Sequence, residues 1–185
     1  MYEQGLPMDL AGTGLCSAAG MGLHESQSRF WENIIGHSRA FCSWLCDEMK
    51  SAWPGLDIST ERIYGASNRV MPSFVRVEAD EATYNLHIVV RFQLELALIE
   101  GSLEVEDLEQ AWSDAYEEVL HIRPTTPVQG VLQDVHWASG LFGYFPSYTI
   151  GNLYSASFRF QMEEDLPDMW DQVAAGEFGA VLDWL

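Results

Sequence analysis

With 185 residues the chain can bury one sizeable core, and its 48% hydrophobic and 12% aromatic content excludes a disordered polyelectrolyte. Nine basic residues against 28 acidic ones give a net charge of −19. That field repels nucleic-acid phosphates and anionic lipid surfaces, so neither is expected as a partner.

No run reaches the ~20 apolar residues of a membrane span, and the N-terminus lacks the basic, apolar pattern of a signal peptide. Cys16, Cys42 and Cys46 are odd in number and have no repeated spacing. They argue against a secreted disulfide framework and for a reducing, cytoplasmic compartment. Cys42 and Cys46 fall on one helical face, but no companion pair completes a tetrahedral metal set. Among Phe41, Trp44 and Leu45, buried inert thiols are expected.

In chain order, residues 1–20 carry Gly5, Gly12, Gly14, Gly20 and Pro7, and read as the end of a cut helix followed by an irregular connection. Residues 21–36 read as a helix. Residues 38–52 read as another, with Ser38 as its cap and Pro54-Gly55 as its stop. A short helix is expected over 59–68, ending before Met71-Pro72. Residues 80–100 form the clearest helix, stopped by Gly101. Leu86, Val89, Val90, Ala97 and Leu98 give it an apolar stripe. Asp80, Tyr84, His87, Arg91 and Glu95 give it a polar one. A solvated face accounts for Arg91 and Glu95, whereas Tyr84 and His87 could line a cleft.

Residues 104–121 read as an acidic helix with Leu108, Trp112, Tyr116, Val119 and Leu120 facing inward. Pro124 and Pro127 bound a loop, residues 131–137 open a short helix or turn, and Gly140, Gly143 and Pro146 break the chain. Helices are expected over 147–163 and 168–175. Residues 178–185 begin an amphipathic segment without a stop signal, so this end also reads as cut. The expectation is a single, mainly α domain over 1–185, truncated at both ends, with at most a short β ribbon at 74–77.

The stretch with most chemistry is His24-Glu25-Ser26-Gln27-Ser28-Arg29, followed by Phe30-Trp31-Glu32-Asn33. On a helix Glu25, Arg29 and Glu32 share one face while Phe30, Trp31, Ile34 and Ile35 line another. Locally this is either a solvated ion pair worth a few tenths of a kcal/mol or a site mounted on a rigid element.

This run resembles the HESQSR-W-EN motif of the M32 metallocarboxypeptidases, the carboxypeptidase Taq family. Other blocks of that family follow in order. Tyr2-Glu3-Gln4-Gly5-Leu6 resembles the tail of its zinc-binding helix. Pro72 to Glu81 resembles its substrate-side arginine block, continued by Tyr84-Asn85-Leu86-His87-Ile88 and Arg91-Phe92. Gly130-Val131-Leu132-Gln133-Asp134-Val135-His136-Trp137 resembles GxxQDxHW. Gly143-Tyr144-Phe145-Pro146-Ser147-Tyr148 with Gly151-Asn152 completes the set. The H-E-x-x-H helix that carries two zinc histidines in the family has no counterpart here, and Ser157 and Glu109 replace the family's usual Gln and Pro.

The resemblance implies the C-terminal part of an HExxH-type metallopeptidase fold and release of C-terminal amino acids from peptides. Glu25 would be the third ligand of one zinc ion, since a carboxylate beside two imidazoles suits Zn²⁺ and leaves one position for water. His24 would support it. Arg76 would grip the substrate's terminal carboxylate with its guanidinium fork, or else pair with Glu78 or Asp80. His136, Tyr144 and Tyr148 would be the catalytic donors beside the scissile carbonyl. Gln133 and Asp134 would orient His136, and His87 would join the substrate side. An aromatic cluster of Trp137, Phe142 and Phe145 is the structural alternative there. Partners would be peptides with a free C-terminus and, through core faces left uncovered, a homo-oligomer. The rival reading is a non-catalytic helical interaction module or pseudo-enzyme.

Overall fold

Three helices open on capping side chains, Ser38, Ser59 and Asp80. The computed structural model describes residues 5–185, and among them the regular structure is helical, with no strand. Tyr2, Glu3 and Gln4 of the first family block lie outside the described residues. The helices are α1 (Met21–Arg29), α2 (Arg39–Ala52), α3 (Thr60–Ser67), α4 (Glu81–Glu100), α5 (Leu108–Leu120), α6 (Pro146–Asp165), α7 (Met169–Ala174) and α8 (Gly179–Trp184). The chain divides into two compact units: residues 5–69 with Ile150–Leu185, and Val70–Thr149.

In the first unit α1 does not run on as one regular helix to residue 36. It widens into a π-helix over Phe30–Ile35, where Gly36 N–H donates to Trp31 O at 2.9 Å, five residues back. The widening buries Phe30, Asn33 and Ile35. Phe30 and Ile35 join Met162, Met169, Val173 and Val181 in a fully buried cluster. Ser38 Oγ accepts from Phe41 N–H at 3.1 Å and opens α2. Ser59 does the same for α3 through Arg62 N–H at 3.4 Å. Between α2 and α3, Cys42, Cys46 and Ile63 form a second buried cluster, and both thiols are free. Burial pushes the Cys42 thiol up from its ordinary pKa.

In the second unit Asp80 caps α4 by accepting from Thr83 N–H at 2.9 Å and Thr83 Oγ1 at 2.8 Å. Gly101 ends the helix in the left-handed region at φ 72°. Residues 74–77 form no ribbon: a 3₁₀ turn spans Arg76–Glu78. Another, Val105–Asp107, leads into α5. Trp112, Tyr116 and Leu120 of α5 pack with Val90 and Leu94 of α4, while Tyr84 and Ile88 pack with Phe145.

The side of α4 that faces inward differs in part from the sequence expectation: Val90 of the apolar stripe is buried, but the polar row is buried as well and Leu86 and Val89 are not. Tyr84, His87, Arg91 and Glu95 are buried, whereas Leu86, Val89, Phe92, Leu96 and Ile99 are exposed. Arg91 has 0% of its surface accessible and Ile99 has 67%. Arg91 and Glu95 are therefore not on a solvated face. Burying them is possible because Asp134, Tyr116, Trp137 and Gly143, all outside α4, supply an ion pair and hydrogen bonds to Arg91 and Glu95.

Candidate functional site

The first unit presents Glu25 on α1. Ser28 Oγ donates to the Glu25 backbone carbonyl at 2.9 Å and lies 3.3 Å from Glu25 Oε2. One turn on, the buried Arg29 reaches α6: its Nε donates to Asn152 Oδ1 at 2.7 Å, and its Nη1 pairs with Glu32 Oε2 at 2.7 Å. The approach of α6 to α1 depends on Gly151. A Cβ there would sit 2.9 Å from Glu25 Cβ and 3.0 Å from Glu25 C and Ser26 N. The Gly151-Asn152 step thus lets two helix backbones touch at Glu25 and ties the next turn by a hydrogen bond.

The second unit gathers the other candidate residues. Asp134 is the hub. Its Oδ1 accepts from Arg76 Nε at 3.0 Å and Nη2 at 2.7 Å. Its Oδ2 faces Arg91, with Nε and Nη2 each at 2.6 Å. Burial alone would raise the Asp134 pKa, but the charges of Arg91 and Arg76 and their hydrogen bonds outweigh it and hold the carboxyl below its usual range. Burial would likewise lower the Arg76 pKa, and its bonds to Asp134 reverse that. The partner of Arg76 is therefore Asp134, not Glu78 or Asp80. Arg76 Nη1 also donates to the Tyr84 hydroxyl at 2.9 Å, and the guanidinium carbon stands 4.6 Å from the Tyr148 ring centre.

A second layer backs this hub. Arg91 Nη1 donates to His87 O at 2.9 Å and to the Tyr116 hydroxyl at 3.1 Å, which also lies 3.0 Å from His87 Nδ1. Burial first, then the positive charges of Arg91 and Arg76, lowers the His87 pKa to about 4. His87 is thus a buried neutral imidazole packed behind the arginines. Gln133 Oε1 accepts from Arg76 N–H at 2.9 Å, and its Nε2 donates to Phe74 O at 3.0 Å. It fixes the backbone of the arginine turn.

His136 sits beside this layer, with Nδ1 3.8 Å from Asp134 Oδ1 and Nε2 3.0 Å from the Tyr148 hydroxyl. Its ring centre lies 5.3 Å from that of Tyr144 and 4.4 Å from that of Phe145. The structure therefore brings together Arg76, His87, Gln133, Asp134, His136, Tyr144 and Tyr148 within one unit, while Glu25 belongs to the other. Three residues of the network, Arg91, Tyr116 and Glu95, were not singled out as site residues in the sequence. The polar row along α4 was the available signal for Arg91 and Glu95; Tyr116, on α5, read as an inward-facing core residue and carried none.

Among the described residues no three His, Cys, Asp or Glu side chains gather closely enough to hold a metal ion. Glu25 is a single carboxylate, so these residues do not fit a complete metal centre. What they can do chemically is bind and orient. Asp134 holds two guanidinium groups in one place, and His136 with Tyr148 offers a hydrogen-bonding pair next to them.

Comparison with known proteins places this geometry. The family described as carboxypeptidase Taq (M32) metallopeptidase matches residues 1–185. Thermostable carboxypeptidase 1 of Thermus thermophilus is 50% identical over 185 residues, covering 100% of this chain and 36% of that protein. Carboxypeptidase 1 of Bacillus subtilis is 45% identical, covering 100% and 37%. The solved structure described as "BsuCP Crystal Structure" superimposes with a TM-score of 0.95 at 45% identity, over 100% of this chain and 37% of that one. The chain spans a little over a third of the length of the curated relatives it matches. An unbroken match from the first residue to the last, carried by an all-helical fold and the clustered motif residues, makes the chain a member of the carboxypeptidase Taq (M32) metallopeptidase family.

Proposed function

We propose that the chain supplies the substrate-side residues and one metal-ligating carboxylate of a zinc-dependent carboxypeptidase that releases C-terminal amino acids from peptides. The observation that carries this reading is the Asp134 hub, which fixes Arg76 beside the His136–Tyr148 pair. Of the five N–H groups of a guanidinium, Arg76 places three on Asp134 and Tyr84. One N–H on each terminal nitrogen is left, a pair suited to the two oxygens of a terminal carboxylate. His136, Tyr144 and Tyr148 then donate toward the carbonyl of the bond to be broken. Gln133, Asp134 and His87 hold that arrangement. Glu25 serves as one ligand of the ion, with His24 supporting it.

The ion expected is zinc, and the chain by itself holds it weakly, because one carboxylate does not make a tight site. A cytoplasmic location agrees with three free cysteines. Among the described residues no helix is long and apolar enough to cross a membrane. The direct test is metal analysis and peptide hydrolysis on the purified chain. Substoichiometric zinc without turnover is expected; stoichiometric zinc with turnover overturns the weak-site reading.

One observation favours a second reading, a non-catalytic helical interaction module. Helix α4 exposes Leu86, Val89, Phe92, Leu96 and Ile99 along one side, a surface of the kind that seeks a partner. A chain that binds a protein partner and shows no preference for free C-termini fits that reading instead.

A further inference from the structure

Glu95 is a buried carboxylate, only 6% exposed, and among the described residues no Arg, Lys or His forms an ion pair with it. A charge taken out of water without a counter-charge is costly unless hydrogen bonds replace the lost hydration. Two donors do so. The Trp137 indole Nε1–H donates to Glu95 Oε2 at 2.6 Å, and the Gly143 backbone N–H donates to Glu95 Oε1. Both are hydrogen bonds to a carboxylate, the stronger class.

The position of these donors matters more than their number. Trp137 directly follows His136, and Gly143 directly precedes Tyr144. The segment between them is a 3₁₀ turn, Trp137–Ser139, followed by Gly140 at φ 74°, exposed Leu141 and Phe142, and Gly143 at φ 75°. Its own backbone hydrogen bonds shape the turn, but the unburied Leu141 and Phe142 side chains do little to anchor it to the rest of the unit. One carboxylate on a 20-residue helix therefore fastens both ends of the loop. The residues just outside those ends are His136 and Tyr144, whose rings lie 5.3 Å apart.

We infer that Glu95 is a positioning residue for His136 and Tyr144, setting their separation by clamping the two ends of the loop between them. Its bearing on peptide hydrolysis rests on the role proposed above for His136 and Tyr144. Its geometry does not. Without the clamp the loop keeps its own turns, such as Leu141 N–H to His136 O at 2.9 Å, and Trp137 keeps its edge contacts with Trp112 and Phe145. The loop then survives, but the relation between the two rings is lost.

NMR of the isotope-labelled chain tests this, with Glu95→Gln, Glu95→Asp and Trp137→Phe. Glutamine is nearly isosteric but turns a donor toward one of the two donors, so one end of the loop is released. The expected result for Glu95→Gln is loss of the His136–Tyr144 ring contact in nuclear Overhauser spectra and displaced His136 imidazole nitrogen signals. The Trp112 and Trp44 indole signals should hold their places, and Glu95→Asp should restore the His136 signals in part. A merely structural role predicts lower stability with the His136 and Tyr144 signals unmoved, and that result overturns the inference. Should Glu95→Gln fail to fold, Trp137→Phe decides, since it keeps the carboxylate and the Gly143 bond: displaced His136 signals support the clamp, unmoved ones refute it. Binding of a peptide with a free C-terminus to His136→Ala separates the two ideas. Unchanged binding counts against the assigned role of His136 and leaves the Glu95 result standing.

Discussion

Arg91 and Asp134 meet through two nitrogens, both 2.6 Å from Oδ2, in a place where Arg91 has no exposed surface. Since Arg76 occupies Oδ1, one acid is shared between two buried cations. Asp134→Asn leaves both with only a neutral partner, and a loss of ~3–5 kcal/mol is expected, as for breaking a buried ion pair. Arg91→Met removes one cation and leaves the Arg76–Asp134 pair intact, so it should cost clearly less. Urea midpoints of the two variants check this ordering.

His87 sets an acid limit on stability. Its folded pKa of about 4 lies below the ordinary 6.5, so the unfolded chain takes up a proton before the folded one does. Stability is then full above pH 6.5 and falls as the pH drops toward 4, by roughly 3 kcal/mol in all. Asp134, held below its ordinary 3.8, adds a second loss only below that pH. Denaturation curves from pH 7 to pH 4 should show the first loss in the parent chain and its absence in His87→Gln.

Gly151→Ala should destabilise the first unit by about 1–3 kcal/mol, as overpacking does, because the new methyl meets Glu25 and Ser26 backbone atoms at 3.0 Å. Gly22→Ala meets chiefly the Ile150 side chain, at 2.6 Å to Cγ2, and a side chain can turn aside. Thermal midpoints should fall further for Gly151→Ala than for Gly22→Ala. Equal midpoints would mean that α1 shifts freely.

The exposed side of α4 predicts self-association of the chain. Phe92→Lys with Leu96→Glu should shift the molar mass measured by light scattering toward the monomer. A parent chain that is strictly monomeric at high concentration would count against a homo-oligomer.

Some ends were legible along the chain: Ser38 caps α2 and Gly101 stops α4 as the sequence reads, while Ser59 and Asp80, read as first residues of helices, turn out to be their caps. The period of α4 was legible too, but not its inward side. Local pattern assigns Arg91 and Glu95 to water, and partners distant in sequence, among them Asp134, Trp137 and Gly143, bring them inside. The same distance hid the partner of Arg76. Motif blocks named Asp134 and Arg76 separately, while the pairing is a property of the fold. The π widening after Arg29 left no trace in a run that reads in sequence as an ordinary helix.

The central claim is that the Arg76 hub recognises a peptide's free C-terminus. Calorimetric titration of the chain with one peptide in two forms, free acid and C-terminal amide, tests it without requiring a metal. The account predicts tighter binding of the acid, by about tenfold or ~1.4 kcal/mol, and loss of that difference in Arg76→Leu. Equal affinity for the two forms in the parent chain would contradict it.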